Sequence, residues 1–582
     1  MKKKLLATLL SLTMLASLLA ACGSDTPAEV PPEPAATVDT PTPAPADPPP
    51  DDPPPTPPGK FEELGLDDDR RFIDQRSIRV LAWERDNDPT LTIFADYLKE
   101  RMLEEHNVVV DYVTVGRWEE VNELTLLLAE GIAPDVCYTF NYPTIETFAQ
   151  QGAVVDMEPL LADSGDLYPN LWDRLGWMRL YWNQDNTTGT VWSILGMQPF
   201  NQRFISFIRE DWLDTLGMAM PTSLADFEAA LYAFKENADT LLGADASQLV
   251  PLHMTDDPGW VAGPLIESFI PNDVTDKDLY VYGVGGDARR FFAPGVKEAI
   301  RVLNKWFNDG LLHPDFALFD ASNDTADNML RSGFVGALAG HSYDQPYRDG
   351  ADGWTGRMHE AIGPEANFIA VNAFQNDAGA YRKYLGAAID RNMFIPATSE
   401  EPIAAMLYLD LLCRQDVITF LQMGVEGINH EVMPDGALMT LPVDAGDYHQ
   451  MTSGRNYDLS LPINGLDLGD PDLTARSAAL GYAGVEARFI QTAMEVQSTD
   501  VRIIGNTGTP SVQAEDGMGD TIRERGNAAF CRAIVASVDQ FDAVYDAEME
   551  SLFTQFAQAS IDERISLWEA VHGSAVMLPV GD

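Results

Sequence analysis

The sequence predicts an α/β protein with parallel sheets and more than one hydrophobic core. Between Ser77 and Gly152, short apolar runs alternate with segments of helical period, and such strand–helix–strand units form parallel sheets with right-handed crossovers. The chain has 582 residues, which is too long for one compact core. Hydrophobic residues make up 45% of it, as in ordinary globular proteins. Two lobes plus terminal segments are therefore expected.

The elements of this first region follow one another in a regular order. Strands are predicted at residues 77–83, 108–115 and 134–140, and helices at 91–107, 117–131 and 143–152. Apolar spacing of 3.6 residues supports the helices, and Gly131 lies where a helix stop is expected. Because they sit at helical spacing, three tryptophans are predicted to be core residues: Trp118, Trp306 and Trp568.

The later chain is predicted to continue with helices and short strands. A helix ending near Lys235 has Thr222 or Ser223 as its N-cap, since short hydroxyl side chains accept from the first free backbone N–H groups. Residues 296–310 form an amphipathic helix that ends at Gly310, and residues 334–340 form a strand. After Asn506 the pattern is mostly helical.

Charge and cysteine content limit the possible partners. The formal net charge is −52, which disfavours nucleic-acid binding. Such acidity fits either a salty habitat or an ordinary solvated surface. Apart from Cys22, the chain has Cys137, Cys413 and Cys531, without metal-type spacing. We expect these three to be small buried hydrophobic residues, and a single bridge among them stays open.

The first 22 residues have the plan of a secretory signal. Lys2, Lys3 and Lys4 precede an apolar run that ends in small residues before Cys22, as in a signal peptide at residues 1–21. An uncleaved membrane helix needs about 20 strongly apolar residues, and serine and threonine interrupt this run. The stretch LAAC resembles the lipobox of bacterial lipoproteins, which implies that Cys22 is acylated and becomes the first mature residue. Two acyl chains anchor a protein firmly.

Residues 22–60 combine this lipidated cysteine with a proline-rich linker. The stretch PADPPPDDPPPTPP is typical of it, and no lysine or arginine occurs between residues 23 and 58. Such a composition does not bury a core and favours extended polyproline II. We interpret it as a stalk on a cell surface, which favours a Gram-positive one, while docking of a partner to the proline motifs stays open.

Several segments resemble extracellular solute-binding proteins of bacterial ABC importers, in the branch of sugar- and oligosaccharide-binding lipoproteins. The resemblance rests on residues 131–144, 189–194, 208–235, 308–316, 331–340, 395–412 and 423–432. It implies a periplasmic-binding-protein-like fold, with two α/β lobes joined by a hinge and a ligand cleft between them. Lobe one would comprise residues 77–204 plus 385–430, and lobe two 205–384 plus 431–582. The chain would cross between the lobes near residues 204–211 and 385–392.

The resemblance also implies substrate-binding residues that line the cleft. Those from lobe one are Trp83, Glu84, Tyr138, Asn141, Tyr142 and Trp192, the last in place of the family's usual tyrosine. Those from lobe two are His341, Tyr343 and Asp344. Two further tryptophans, Trp260 and Trp354, lie in polar, turn-rich stretches and are predicted to be exposed for binding. Aromatic rings and planar polar groups suit the apolar faces and hydroxyls of sugars.

The implied function is capture of an oligosaccharide and its delivery to ABC permease subunits by a lipid-anchored monomer. No cofactor, metal site or enzymatic activity is predicted, because no catalytic motif occurs. The oxygen-rich segments 272–278 and 320–328 lack a full EF-hand loop, so solvated loops are favoured and structural calcium stays open. The alternatives are a cell-surface glycoside hydrolase, an adhesive protein, or a binding protein for peptides. Arg85, Arg117 and Arg203 suit an acidic glycan or serve as ordinary salt-bridge partners.

Overall fold

The computed structural model describes residues 60–85, 88–162, 164–175, 190–198, 204–283, 290–319, 324–348, 350–385, 389–441, 443, 445–450, 456–482, 484–503, 512–515 and 518–572. The predicted signal peptide, the lipidated Cys22, almost all of the linker and Arg203 lie outside the described residues. Within the described residues, none of the helices combines the length and hydrophobicity that a membrane span requires.

Two separate hydrophobic clusters define two α/β lobes, as predicted. The first cluster draws on residues between Leu66 and Ile194 and again between Met393 and Ile463. The second draws on residues between Ile205 and Tyr384 and again after Ala479. The chain thus builds lobe one, then lobe two, and returns to each.

Lobe one contains the strands and α-helices that the structure describes before residue 198. They are β1 (Arg76–Glu84), α1 (Ile93–His106), β2 (Val108–Gly116), α2 (Glu120–Glu130), β3 (Cys137–Thr139), α3 (Tyr142–Gln150), α4 (Glu158–Leu161), α5 (Pro169–Leu175) and β4 (Ile194–Met197). β1 and β2 are parallel over nine residues, and Leu81 N donates to Val136 O at 2.9 Å just before β3. Asn107 ends α1 in the left-handed region at φ 56°, which asparagine tolerates better than most residues.

Lobe two begins with β5 (Phe204–Arg209). It continues with α6 (Glu210–Leu216), α7 (Leu224–Glu236), α8 (Ala238–Leu242), β6 (Val250–His253), α9 (Pro258–Val261), α10 (Gly263–Ser268), α11 (Asp276–Val281), α12 (Val296–Asn308), α13 (Asp324–Arg331), β7 (Val335–Ser342), α14 (Trp354–Ala361), β8 (Phe368–Val371) and β9 (Lys383–Leu385). The sheet order is β6–β7–β5–β8, with β6 parallel to β7. Ser223, not Thr222, caps α7 by accepting from Asp226 N.

The remaining chain contributes helices and strands to both lobes. Its elements are β10 (Ile389–Phe394), α15 (Pro402–Leu412), α16 (Gln415–Met423), β11 (His430–Val432), β12 (Leu438–Thr440), α17 (Pro471–Ala479), α18 (Ala487–Ser498), β13 (Val501–Ile503), α19 (Gly519–Val535), α20 (Phe541–Leu552) and α21 (Gln558–His572), with a π-helical turn at Phe553–Ala557. β10 lies between β3 and β4 in lobe one. β13 pairs with β9 instead.

One segment of the later chain lies in a different lobe from the predicted one. Leu459, Leu461 and Ile463 belong to the lobe-one core, and Met197 N of β4 donates to Pro462 O at 2.7 Å. The prediction assigned residues 431–582 to lobe two, whereas this segment packs in lobe one. Alternating apolar residues are buried equally well by either lobe, so the local pattern did not reveal which one receives them.

The cysteine prediction is confirmed for the described residues. Cys137, Cys413 and Cys531 are free thiols with exposures of 0%, 2% and 8%. Each behaves as a small apolar side chain, and burial raises the pKa of all three thiols.

Candidate functional site

The lobe-one wall of the candidate site is formed where β1, β2 and β3 end. Glu84 lies opposite Gly116 in the parallel register, and Arg117 N donates to Glu84 O at 2.9 Å. Arg85 and Arg117 therefore leave the sheet at the same edge. Parallel sheets bind ligands at the carboxyl ends of their strands, which makes this edge the first wall of a site.

Trp83 and Tyr138, both predicted to bind the solute, are buried beneath this edge. Each has 0% exposure, and their ring centroids are 4.4 Å apart. Trp83 N donates to the Tyr138 hydroxyl at 2.9 Å, and that hydroxyl donates to Asp458 O at 3.4 Å. The resemblance places Trp83 in the cleft, whereas in this structure its ring lies beneath the strand edge without accessible surface. In this conformation both rings support the wall from below.

The other predicted lobe-one residues keep accessible surface. Glu84 is exposed and Tyr142 is half-buried. Asn141 is exposed and caps α3, because its side chain accepts from Thr144 N at 3.2 Å. Trp192 is half-buried and packs against the lobe-one core. Contact between these residues and a solute stays a prediction.

Buried ion pairs hold the lobe-one wall together. Arg85 donates to both carboxylate oxygens of Asp458, at 2.5 and 3.2 Å. Arg391 donates to Tyr457 O at 2.9 Å and to Asp458 at 3.4 Å. The Asp458 side chain has 0% exposure. A carboxylate in this position is tolerable only because two guanidinium groups compensate for its lost hydration.

Arg117 forms a second ion pair at the same wall. Its guanidinium is paired with Glu120, which also accepts from the Thr139 hydroxyl at 3.2 Å. The guanidinium carbon lies 4.5 Å from the Trp83 ring centroid. Burial lowers the pKa of Arg117 and raises that of Glu120, since both charged forms lose water.

Trp118 is an exposed residue of this wall that the sequence prediction assigned to the core. Its exposure is 82%, because it lies in the turn between β2 and α2, before the helix begins. By contrast, Trp306 is buried at 0% as predicted. Trp568 is half-buried and packs in a minor cluster, 5.3 Å from the Tyr280 ring. Helical spacing alone did not show that Trp118 precedes the helix.

The lobe-two wall is aromatic. Phe204 lies edge-on to Trp260 at 4.5 Å and stacks on His341 at 5.4 Å, between ring centroids. Trp260 is 38% exposed, as its loop position predicted. Trp354 is only 4% exposed, so its predicted exposure was wrong. It is the first residue of α14, and its ring packs into the lobe-two core and against His341 at 5.1 Å.

The two histidines of this wall are uncharged at neutral pH. Burial lowers the pKa of His341 to about 3, and His253 and Arg348 add to the lowering. Burial also lowers the pKa of His253 to about 4, and its Nδ1 is buried without a hydrogen-bond partner. His341 Nδ1 accepts from Ser342 N at 2.9 Å. The ring stack therefore presents neutral imidazole.

A hydrogen-bonded group follows β7. Asp344 is 5% exposed and accepts two bonds of 2.7 Å from Arg348. The Tyr482 hydroxyl donates to the same carboxylate at 3.0 Å. Burial raises the pKa of the half-buried Tyr343, and Asp344 adds to the rise. Phenol and carboxylate groups thus stand beside the aromatic rings.

Asp458, which pairs with the lobe-one arginines, is preceded by Tyr457, whose phenol acts electrostatically on Tyr343 and Tyr482 of lobe two. Burial raises the pKa of both tyrosines, and Tyr457 adds to the rise in each. Sequence reasoning missed this segment, although a Tyr-Asp pair directly before the alternating Leu459 and Leu461 is a visible signal.

The first oxygen-rich segment uses its side chains for local structure. Thr275 and Asp278 form a capping box at the start of α11, and Asp276 pairs with Arg502 at 2.7 Å. In the part of the chain that the structure describes, there is no group of three or more His, Cys, Asp or Glu suited to a metal. In the second segment, residues 320–323 lie outside that part, and Asp327 on α13 pairs with Arg331 at 3.2 Å.

Comparison with known proteins decides the family. Residues 88–414, more than half of the chain, match the family model described as "Bacterial extracellular solute-binding protein". The chain belongs to this family. A search of curated proteins finds no match.

Solved structures of solute-binding proteins share the fold. An HMO-binding, ABC-transporter-associated protein from Bifidobacterium longum infantis is 14% identical, with a TM-score of 0.56 over 85% of this chain and 99% of its own. An N-glycan transport protein from Streptococcus pneumoniae is 15% identical, with a TM-score of 0.53 over 86% of this chain and 100% of its own. A third, from S. pneumoniae in complex with kestose, is 14% identical, with a TM-score of 0.53 and the same coverage. At these identities the likeness shows the fold alone.

In this solute-binding protein the two walls offer different chemistry. Lobe one supplies guanidinium and carboxylate groups with the exposed Trp118 ring. Lobe two supplies aromatic rings, neutral imidazole and phenols. Such a set suits a polar, ring-shaped solute that stacks on the rings and forms hydrogen bonds.

Proposed function

We propose that this protein captures an oligosaccharide outside the cell membrane and delivers it, unaltered, to the permease of an ABC importer. The observation that carries the proposal is a solute-binding-protein fold whose lobes present an aromatic wall around Phe204 and Trp260 and an ion-paired wall around Asp458. Sugar rings have apolar C–H faces that stack on aromatic rings. Their hydroxyls both donate and accept, which suits carboxylates, guanidinium groups and phenols.

The residues proposed to contact the solute lie on both walls. They are Glu84, Asn141, Tyr142, Trp192, Trp260, His341 and Tyr343, with Trp118 added from the structure. Asp344 is proposed to act from its network with Arg348 and Tyr482. Trp83, Tyr138 and Trp354 are proposed to hold the walls in shape, because they are buried in this conformation.

Transport then follows from lobe closure. A solute that contacts both walls favours the closed arrangement, because it binds that arrangement more tightly than the open one. The permease subunits would recognise the closed form.

A direct test of the solute class is calorimetry and thermal shift with the full mature chain. The panel comprises neutral, amino and acidic oligosaccharides together with short peptides. We expect a glycan to bind, to raise the melting temperature and to be recovered intact by mass spectrometry. Cleavage of the glycan would favour the hydrolase alternative. A shift caused by peptides alone would leave transport standing and change the solute class.

A variant pair locates the binding surface. Trp260→Ala removes an exposed ring and is expected to weaken glycan binding by about tenfold or more, since stacking of this kind contributes about 1–2 kcal/mol. Trp568→Ala is the control, because that ring packs in the minor cluster with Tyr280. Equal loss in both variants would contradict a site at the lobe-two wall.

Cell-surface attachment is proposed to depend on Cys22. The lipobox-like LAAC and the linker after it would hold the monomeric protein at the outer face of the membrane, a Gram-positive one by our proposal. Cys22→Ser is expected to release the protein into the medium without changing its affinity for the solute. A variant that stays with the membrane fraction would contradict the lipid anchor.

A further inference from the structure

Trp260, the exposed ring of the lobe-two wall, lies on a very short helix. The helix α9 has only four residues, Pro258–Val261, and Trp260 is 38% exposed. A helix of this length has few internal hydrogen bonds, since the first N–H groups and the last carbonyls of any helix lack partners within it. The orientation of the Trp260 ring therefore depends on what surrounds α9.

Two side chains contact the Trp260 ring. Phe204 lies edge-on to it, with 4.5 Å between the ring centroids. The guanidinium carbon of Arg290 lies 5.5 Å from the Trp260 centroid. Arg290 is 3% exposed and pairs with Glu267 at 3.5 Å. These neighbours limit the positions open to the ring, provided that the backbone of α9 is itself held in place.

The backbone of α9 is held by Asn527, a residue of the C-terminal helix α19. Gly259 N donates to Asn527 Oδ1 at 3.0 Å, and Asn527 is 6% exposed. The same side chain forms a hydrogen bond with the carboxylate of Asp257. Asp257 in turn caps α9 by accepting from Trp260 N at 3.0 Å. One buried amide therefore binds the helix through its oxygen and the cap of the helix through its nitrogen.

Two glycines allow the close contact between α9 and α19. A Cβ on Gly259 would lie 2.7 Å from Asn527 Oδ1 and 3.2 Å from the ring of Phe291. A Cβ on Gly526 would lie 2.6 Å from the same ring. Phe291 directly follows Arg290, whose guanidinium contacts Trp260. Packing this tight leaves α9 little room to shift while Asn527 is in place.

We propose that Asn527 is a positioning residue for solute binding, which fixes α9 so that Trp260 presents its ring to the sugar. The inference rests on the proposed function, in which Trp260 contacts the solute. The family model matches residues 88–414, so α19 lies beyond the matched region. A ring that is fixed before binding loses less conformational freedom when the solute arrives. Without the Asn527 amide, the solute would have to order α9, and affinity would fall.

Hydrogen–deuterium exchange of the full mature chain without solute tests the first step. The peptide that contains Gly259 and Trp260 reports on α9, because exchange requires local opening of its hydrogen bonds. Asn527→Ala is expected to speed exchange in this peptide about tenfold or more. Unchanged exchange there would show that Asn527 does not hold α9 and would overturn the inference.

Asn304 provides a matched control, because it is also a buried asparagine that holds α19. It is 1% exposed, and its Nδ2 donates to Ala533 O at 3.1 Å and to Ile534 O at 2.9 Å, at the other end of the helix. Asn304→Ala is expected to lower the melting temperature, as Asn527→Ala does. It should leave the exchange of α9 and the affinity for glycan unchanged. Equal losses of affinity in the two variants would reduce Asn527 to a folding role.

A double-mutant cycle decides whether Asn527 acts through Trp260. The probes are maltotriose, lacto-N-tetraose and tri-galacturonate, and the tightest binder is used with every variant by calorimetry. Asn527→Ala is expected to weaken binding about fivefold or more when Trp260 is present. In the Trp260→Ala background the same change should weaken it by less than about twofold.

The outcomes of the cycle separate this inference from the proposed function. Equal weakening in both backgrounds overturns the positioning role of Asn527 while the transport proposal stands. If no probe binds the unaltered chain, the proposed function fails and the inference fails with it. Asn527→Asp has nearly the same shape and loses only the donor to Asp257, so it keeps the test valid if Asn527→Ala does not fold. It is expected to weaken binding in the same direction, and unchanged affinity would contradict the inference.

Discussion

The two walls of the candidate site solve the problem of burying polar groups in opposite ways. The lobe-one wall keeps its charges and pairs them, as in the Asp458 carboxylate, which receives Arg85 and Arg391. The lobe-two wall removes charge, because burial lowers the pKa of His253 and His341 until both imidazoles are neutral. Paired charges depend on every partner being present, whereas neutral rings depend on the pH.

Because of this difference, the stability of each wall depends on a different change. Removing one partner from a buried pair leaves an uncompensated charge, which is more costly than losing the pair altogether. A buried neutral histidine lowers the free energy of unfolding in acid, because the unfolded chain then binds a proton that the buried imidazole does not. Mutation should therefore disturb lobe one most, and acid should disturb lobe two.

The largest effect is expected from Asp458→Asn at the lobe-one wall. The variant leaves Arg85 and Arg391 without their shared carboxylate and should lower the free energy of unfolding by about 3–5 kcal/mol. Urea unfolding followed by circular dichroism measures it. Asp467→Asn is the control, since the Asp467 carboxylate is 16% exposed and better hydrated than that of Asp458, which has 0% exposure. A loss below about 1 kcal/mol, the range of exposed pairs, would contradict the described wall.

Low pH is expected to destabilise lobe two through His253. His253 has a folded pKa of about 4 against an ordinary value of 6.5. The unfolded chain therefore binds a proton below pH 6.5 that the folded protein refuses. The contribution of His253 is complete above pH 6.5 and is lost as the pH falls towards 4, by about 3 kcal/mol in total.

The variant His253→Gln isolates this contribution. Carboxylates titrate alike in both proteins, so the difference between their unfolding free energies from pH 7 to pH 4 reports His253 alone. We expect a flatter pH profile in the variant. Parallel profiles would show that His253 is protonated in the folded protein.

The smallest effect is expected within lobe one, at Gly196 of β4, where the returning segment packs against the sheet. A Cβ there would lie 3.1 Å from Leu461 O and 3.3 Å from Pro462 O, because β4 runs beside the returning segment. Gly196→Ala should cost about 1–2 kcal/mol through overpacking. Gly165→Ala is the control, as its nearest neighbour would be 4.0 Å away. Equal melting temperatures for the two variants would mean that the returning segment adjusts without strain.

Local patterns predicted the elements well and the surroundings of single side chains poorly. The strand predicted at residues 77–83 is found at Arg76–Glu84, and the helix cap is Ser223. Trp118 and Trp354 were each assigned the wrong exposure. Both lie within two residues of an element boundary, where a shift of one position turns a side chain from core to solvent.

By itself the sequence determined the alternation of strands and helices, the two-lobed architecture and the family resemblance, because hydrophobic period and turn residues act over a few neighbouring positions. The tertiary structure alone decided that the segment from Asp458 to Ile463 returns to lobe one, and that Arg85 and Arg391 meet at the buried carboxylate of Asp458. Arg85 and Asp458 are 373 positions apart. Contacts between such distant residues arise from packing of the whole chain, and no local pattern records them.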